Sequence, residues 1–310
     1  MKLQQLLVAL CLVAVASVAP AGAAFTDSVY IPDIETFMQV GSNGSPQVST
    51  DGKVMCFSSA MSGVSQVYRL RDNGWPEQLT YFPDGASFYT LSYKGKWIIA
   101  GAAWGGSEET NLHLVEVATG RTEALTDVND VQIADPAWSY DNTKVYYRTN
   151  ETNGKDFHVY ELNIVTRAKR PVLAQEGYNS PQIVSKDGKW LVAGKYPSNV
   201  DSDLYLVNLQ SGDIQRLTPH EGNALFSSYA FAPDHSFIYV VTNLNKEGIG
   251  RRAKLDLKSK AITFIDLGTK WEVEGITFSD DMSRMAWIVN EDGCGRLHIW
   301  DMKANVELPA

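Results

Sequence analysis

The sequence predicts an all-β protein, a β-propeller of six four-stranded blades, and three observations carry the prediction. A four-residue turn signature recurs six times, strand-like alternation follows every copy, and the composition favours strands and turns. The copies are Ser49-Thr50-Asp51-Gly52, Ser92-Tyr93-Lys94-Gly95, Ser139-Tyr140-Asp141-Asn142, Ser185-Lys186-Asp187-Gly188, Ala232-Pro233-Asp234-His235 and Ser279-Asp280-Asp281-Met282. Their first residues lie 43, 47, 46, 47 and 47 positions apart, and near-constant spacing of this size marks a repeated supersecondary unit. Period-two alternation and hairpin turns oppose the helical repeats that share this length. The chain has 8 Trp, 14 Tyr, 11 Phe, 24 Gly and 12 Pro, the residue types that fill strands and tight turns.

Each unit has one grammar. A short inner segment, such as Pro46-Gln47-Val48 or Pro181-Gln182-Ile183, leads into the turn. Asp bonds nearby backbone N–H groups there, and Gly or Asn tolerates positive φ. An apolar strand follows (Trp97 to Ala100, Trp190 to Ala193), then a polar loop, an alternating strand (Leu112 to Val117, Leu204 to Leu209) and a short last strand ending in Leu79-Thr80, Leu125-Thr126 or Leu217-Thr218. Asp51, Gly52, Gly95, Asp141, Asp187, Gly188, Asp234 and Asp281 are therefore assigned to turn-making, and Lys94 fills the Asp slot of the second unit without breaking the pattern. The blades are expected at about 45–80, 86–126, 134–173, 179–218, 226–267 and 273–310, after an extension over 25–44. No composition break separates them, so they form one domain.

The first 24 residues read as a cleavable export leader: Lys2, an apolar run from Leu6 to Val18, then small residues to Ala24. The run is short of the roughly 20 residues a membrane span needs, and no later segment could cross a bilayer. The expected location is secreted or periplasmic. With Lys2 removed, 26 basic residues face 36 acidic ones, which opposes nucleic acid and anionic membranes as partners. Cys56 and Cys294 remain, and two cysteines in a chain this long are expected as free thiols.

The Ser-x-Asp-Gly-Lys turn followed by strand, loop, strand and Leu-Thr resembles the TolB-type propeller repeat. The same repeat occurs in the non-catalytic propeller of the prolyl oligopeptidase and dipeptidyl peptidase IV serine peptidases. Gly105-Gly106-Ser107-Glu108-Glu109-Thr110-Asn111-Leu112-His113-Leu114 is similar to a line common in those propellers, as is Trp271-Glu272-Val273-Glu274-Gly275 with Val289-Asn290-Glu291-Asp292-Gly293. The resemblance covers about residues 30–310. It implies a propeller that covers a hydrolase active site and filters peptides. Peptidase relatives use seven or eight blades, so six either close a ring or form an open, incomplete set.

The hydrolysis itself needs a Gly-x-Ser-x-Gly elbow on an α/β-hydrolase domain, and no such elbow occurs in these 310 residues. The sequence is thus read as non-enzymatic and without a cofactor. His113, His158, His220, His235 and His298 are scattered through the repeat, which opposes a metal-dependent propeller lyase. In the dipeptidyl peptidase IV relatives an acidic pair grips the substrate's amino terminus; by that resemblance Glu108 and Glu109 are the candidate binding residues, against the plainer account of a solvated loop pair. Arg251-Arg252 is expected as a solvated pair. The expected function is to gate or bind peptides as the propeller of a secreted prolyl-oligopeptidase-type peptidase, with a peptide or protein ligand at the channel or face. A TolB-like periplasmic protein-binding scaffold is the alternative.

Overall fold

The computed structural model describes residues 42–265 and 269–309. The leader-like segment, the extension as far as residue 41, and residues 266–268 and 310 lie outside the described residues. Twenty-four strands form six sheets. Blade one holds β1 (Asn43–Val48), β2 (Met55–Ser59), β3 (Gln66–Leu70) and β4 (Pro76–Gln78). Blade two holds β5 (Phe88–Leu91), β6 (Trp97–Ala102), β7 (Asn111–Glu116) and β8 (Thr122–Ala124). Blade three holds β9 (Ile133–Trp138), β10 (Lys144–Thr149), β11 (His158–Asn163) and β12 (Lys169–Leu173). Blade four holds β13 (Asn179–Val184), β14 (Trp190–Ser198), β15 (Asp201–Asn208) and β16 (Ile214–Arg216). Blade five holds β17 (Phe226–Phe231), β18 (Phe237–Thr242), β19 (Arg251–Asp256) and β20 (Ile262–Phe264). Blade six holds β21 (Val273–Phe278), β22 (Arg284–Glu291), β23 (Cys294–Asp301) and β24 (Val306–Leu308). Strands pair antiparallel in chain order, and first strands of neighbouring blades touch one another around the axis.

The repeated turn explains why the chain folds into these hairpins. Asp51 Oδ1 accepts hydrogen bonds from the Ser49 hydroxyl (2.6 Å) and the Lys53 N–H (3.1 Å), while Ser49 Oγ accepts from the Val54 N–H. Asp187 repeats these contacts with Ser185 and Lys189, and Asp281 with Ser279 and Ser283. The Ser283 N–H and the Ser279 and Ser283 hydroxyls hold the Asp281 carboxyl down to about 2. The fourth turn position is left-handed in all six copies: φ is 71° at Gly52, 68° at Gly95, 62° at Asn142, 69° at Gly188, 56° at His235 and 56° at Met282. That conformation costs a non-glycine residue about 1–2 kcal/mol, so His235 and Met282 are held there by their hairpins.

Second strands of the middle blades are buried on both faces, because a blade packs against a neighbour on each side. Ile98, Ile99, Ala100, Leu191, Val192 and Ala193 are all fully buried. Such strands read as apolar runs rather than alternations. Five apolar cores fill the five junctions between successive blades. Among the described residues no such core joins blade six to blade one. Accordingly β22 alternates, with Met285, Trp287 and Val289 buried and Ile288 44% exposed, and Leu297 of β23 is 50% exposed. Cys56 is buried in β2, and Cys294 opens β23, exposed; both are free thiols. Among the described residues no helix is long and apolar enough to cross a membrane.

Candidate functional site

First and second strands meet at one end of the propeller, here the turn end; second and third strands meet at the other, the loop end. At the turn end the variable residue of each signature works between blades. The N–H and hydroxyl of Thr50 both donate to the Tyr93 carbonyl, and the Tyr93 and Tyr140 rings lie 5.0 Å apart. Tyr140 donates its hydroxyl proton to Asp280 Oδ2 at 2.8 Å. Lys186 donates to Asp280 Oδ1 at 2.7 Å and stands 4.6 Å over the Tyr140 ring. Blades three, four and six are thereby tied across the axis. The hydrogen bond to Asp280, helped by burial, raises the Tyr140 phenol above its ordinary value. Beneath this clasp lies a cavity of about 450 Å³, with Tyr229, Phe231 and Phe278 in its wall.

At the loop end, inner strands β9 and β13 border a cleft of about 510 Å³ lined by Asp135, Tyr178, Ser180, Tyr196, Ser198 and Asn199. Asp135 precedes Pro136 at φ 52°, inside a bulge where the β9–β10 register slips. A non-glycine residue in this conformation costs about 1–3 kcal/mol, and such residues concentrate at binding sites. The bulge aims the carboxylate at the cleft, where Oδ2 accepts from Arg148 Nε (2.6 Å) and the Ser180 hydroxyl (2.7 Å). Arg148 also stacks on Phe157 and Tyr178, at 4.9 and 4.6 Å. Tyr178 meets Tyr196 edge-on, and burial raises both phenols. Gln182 donates to the Tyr196 hydroxyl and accepts from the N–H and hydroxyl of Ser228 in the next blade. The rim is held by His220. Its Nδ1 lies 2.8 Å from the Thr218 carbonyl and its Nε2 3.0 Å from Asp201, the first residue of β15. The arrangement presents aromatic faces beside fixed polar groups, a surface suited to an extended chain.

Glu108 and Glu109 sit in the β6–β7 loop, also at the loop end, but neither lines the cleft. Glu108 is exposed and accepts from Gln132 Nε2 at 3.2 Å; Glu109 is half-buried, with its N–H on the Ser107 hydroxyl. His113 lies in β7, His158 opens β11, His298 lies in β23, and His235 holds a turn. Among the described residues no group of three His, Cys, Asp or Glu side chains is arranged to hold a metal ion. One expectation is corrected: Arg251-Arg252 is not a solvated pair. Arg252 is 1% exposed, and Arg251 is tied to Glu247 and to the carbonyls of Thr269, Lys270 and Trp271. The Asp135 bulge, Tyr178, Tyr196 and the clasp were missed from sequence. Their one signal is that they occupy variable slots of an otherwise regular repeat.

No family model matches this chain, and no curated protein sequence does. Solved structures do match. A prolyl endopeptidase aligns at a TM-score of 0.68 and 16% identity over 87% of this chain and 43% of its own. An oligogalacturonate lyase in complex with manganese aligns at 0.67 and 16%, covering 84% and 74%. TolB from Acinetobacter baumannii aligns at 0.56 and 14%, covering 86% and 62%. The chain spans under half the length of the prolyl endopeptidase it matches. At these identities the likeness is one of fold, and the chain is a six-bladed β-propeller similar to those of prolyl endopeptidase, TolB and oligogalacturonate lyase.

Proposed function

We propose that this chain is a peptide-binding propeller that works outside the cytoplasm, equivalent to the non-catalytic propeller of a prolyl-oligopeptidase-type serine peptidase. It admits and holds a peptide segment and leaves bond cleavage to another domain. The observation that carries this reading is the asymmetry of the axis. The Tyr140–Asp280–Lys186 clasp spans the turn end, whereas the loop end presents a cleft of aromatic rings and fixed polar groups. Tyrosine faces supply contact area at low entropic cost, and the Asp135 and Ser180 side chains orient a backbone laid across them. The leader-like N terminus supports export.

Fluorescence anisotropy with a panel of short labelled peptides tests this. Tyr178→Ala and Tyr196→Ala should each weaken binding about tenfold, by loss of a buried ring's contact area, with the peptides recovered intact. Failure of every peptide, or binding by both variants as tight as the parent's, sinks the proposal. Binding of a folded periplasmic protein in place of peptides would instead favour a TolB-like scaffold.

A further inference from the structure

Arg252 stands where the other blades carry an aliphatic residue. Its carbonyl accepts from the N–H of the residue just past the fourth strand, as those of Val67, Leu112 and Leu204 do, and those three side chains are fully buried. Arg252 is buried as deeply, at 1% exposure. Its guanidinium lies 3.6 Å over the Trp287 ring, and among the described residues Nη1 meets only Met285 Sδ, at 3.5 Å. Among the described residues neither Nε nor Nη2 has an acceptor, and the neighbouring Trp287 Nε1–H is equally idle. Burial lowers the guanidinium to about 9 against an opposing pull from Glu307. A buried charge without a partner is among the costliest arrangements a core can hold.

Arg252 also lines a cleft of about 320 Å³ at the blade five–blade six junction, together with Arg251, Lys246, Glu247, Phe264 and Val273. Among the described residues three cations face one carboxylate there, and Arg251 already holds that carboxylate at 2.5 Å. The chain as a whole carries a formal charge of −9, so this positive cleft runs against the general surface.

We propose that the cleft is an anion site that takes the carboxylate of a small, partly apolar organic acid. Arg252 turns off the Trp287 face to meet the carboxylate with its idle N–H groups, Lys246 adds charge at the rim, and Phe264 and Val273 cover the apolar portion. A planar guanidinium matches a carboxylate in two parallel hydrogen bonds, which an ammonium cannot do. Phosphate shares the charge but gains nothing from the apolar wall.

The test is thermal unfolding at constant ionic strength with benzoate, phosphate or chloride, alongside the Trp indole N–H resonances. Benzoate should raise Tm saturably and move one indole resonance, phosphate less, chloride not at all. Arg252→Leu, which restores the residue of blades two and four, should weaken benzoate about tenfold or more. In chloride its Tm should match or exceed the parent's. Arg252→Lys keeps charge without the fork and should also lose the benzoate response. Equal responses from parent and Arg252→Leu overturn the proposal, and a response to phosphate alone overturns the carboxylate. Asp266, next in sequence to Ile265 and outside the described residues, is the chain's own alternative carboxylate. If Asp266→Asn lowers Tm and creates a benzoate response that the parent lacks, the site is internal and the proposal fails.

Discussion

His220 makes the sharpest prediction. Nδ1 and Nε2 both face oxygens that only accept, the Thr218 carbonyl at 2.8 Å and Asp201 Oδ1 at 3.0 Å, so both contacts require the doubly protonated ring. Asp203 lies 3.7 Å from Nδ1 and is itself held by Arg216 at 2.8 Å. Burial opposes the charge, but the Thr218 carbonyl and the two aspartates outweigh it, and the pKa stands above the ordinary 6.5. A group whose folded pKa is raised adds stability fully present below its unfolded value, and that stability fades as pH rises through the folded value. The side chain is 4% exposed and Asp201 23%, so both bonds are well shielded. Taking the low end of about 1.5–3 kcal/mol for each hydrogen bond to a charged group, His220→Gln costs about 3 kcal/mol at pH 5.5. Urea midpoints at pH 5.5, 7 and 8.5 measure this. The gap between parent and His220→Gln should narrow with rising pH, and Asp201→Asn should flatten much of the dependence. A gap that stays constant or widens upward refutes the imidazolium assignment. Because Asp201 anchors the hairpin that carries Ser198 and Asn199, peptide binding at the cleft should weaken over the same interval.

Further expectations follow from other contacts. Asp280→Ala opens the clasp; its ion pair is half-exposed, so the loss should be about 1 kcal/mol and should shrink in high salt, read as urea midpoints at two ionic strengths. Gly85 has φ +87°, and a Cβ there would lie 2.7 Å from the Ser65 carbonyl oxygen, whereas Gly52 at φ +71° faces open space. Gly85→Ala should therefore cost well over about 2 kcal/mol and Gly52→Ala only about 1, and equal costs would show that the clash relaxes freely. The Cys294 thiol is exposed, while burial pushes Cys56 up to about 12. Maleimide should label Cys294 in the native protein and Cys56 only on unfolding, as mass spectrometry of labelled peptides would show.

The repeat was legible because hairpin chemistry is local. Ser, Asp and a left-handed fourth residue specify the same turn wherever they occur, and six copies fix strand order by counting. The candidate site was not legible, because it depends on which residues converge when blades are set around an axis. Tyr140 and Asp280 are 140 positions apart and meet only in the assembled propeller. Arg252 was misread for a related reason. An adjacent Arg pair is ordinarily a solvated face, but in a strand neighbours point to opposite sides. Aligning the third strands column by column places Arg252 with Val67, Leu112 and Leu204, and that comparison was open to the sequence alone.

Blade six is where these features meet. Among the described residues it has an apolar core on one side only, and its other face leaves Ile288 and Leu297 about half exposed. Among the described residues a blade so placed has fewer apolar partners than the middle blades, and repeats with fewer packed neighbours open first. The clasp compensates by fixing Asp280 to blades three and four, whereas at the blade five junction the unpaired Arg252 charge, stacked on Trp287, works against the sheet. The two act on one sheet through different partners. Asp280→Ala and Arg252→Leu should therefore shift the same early-exchanging amides of β22 and β23 in opposite directions, the first raising exchange and the second lowering it in the absence of anion. If instead exchange in blade six is insensitive to both, the clasp does not hold the sheet and the Arg252 charge does not strain it, and neither feature has the role assigned to it.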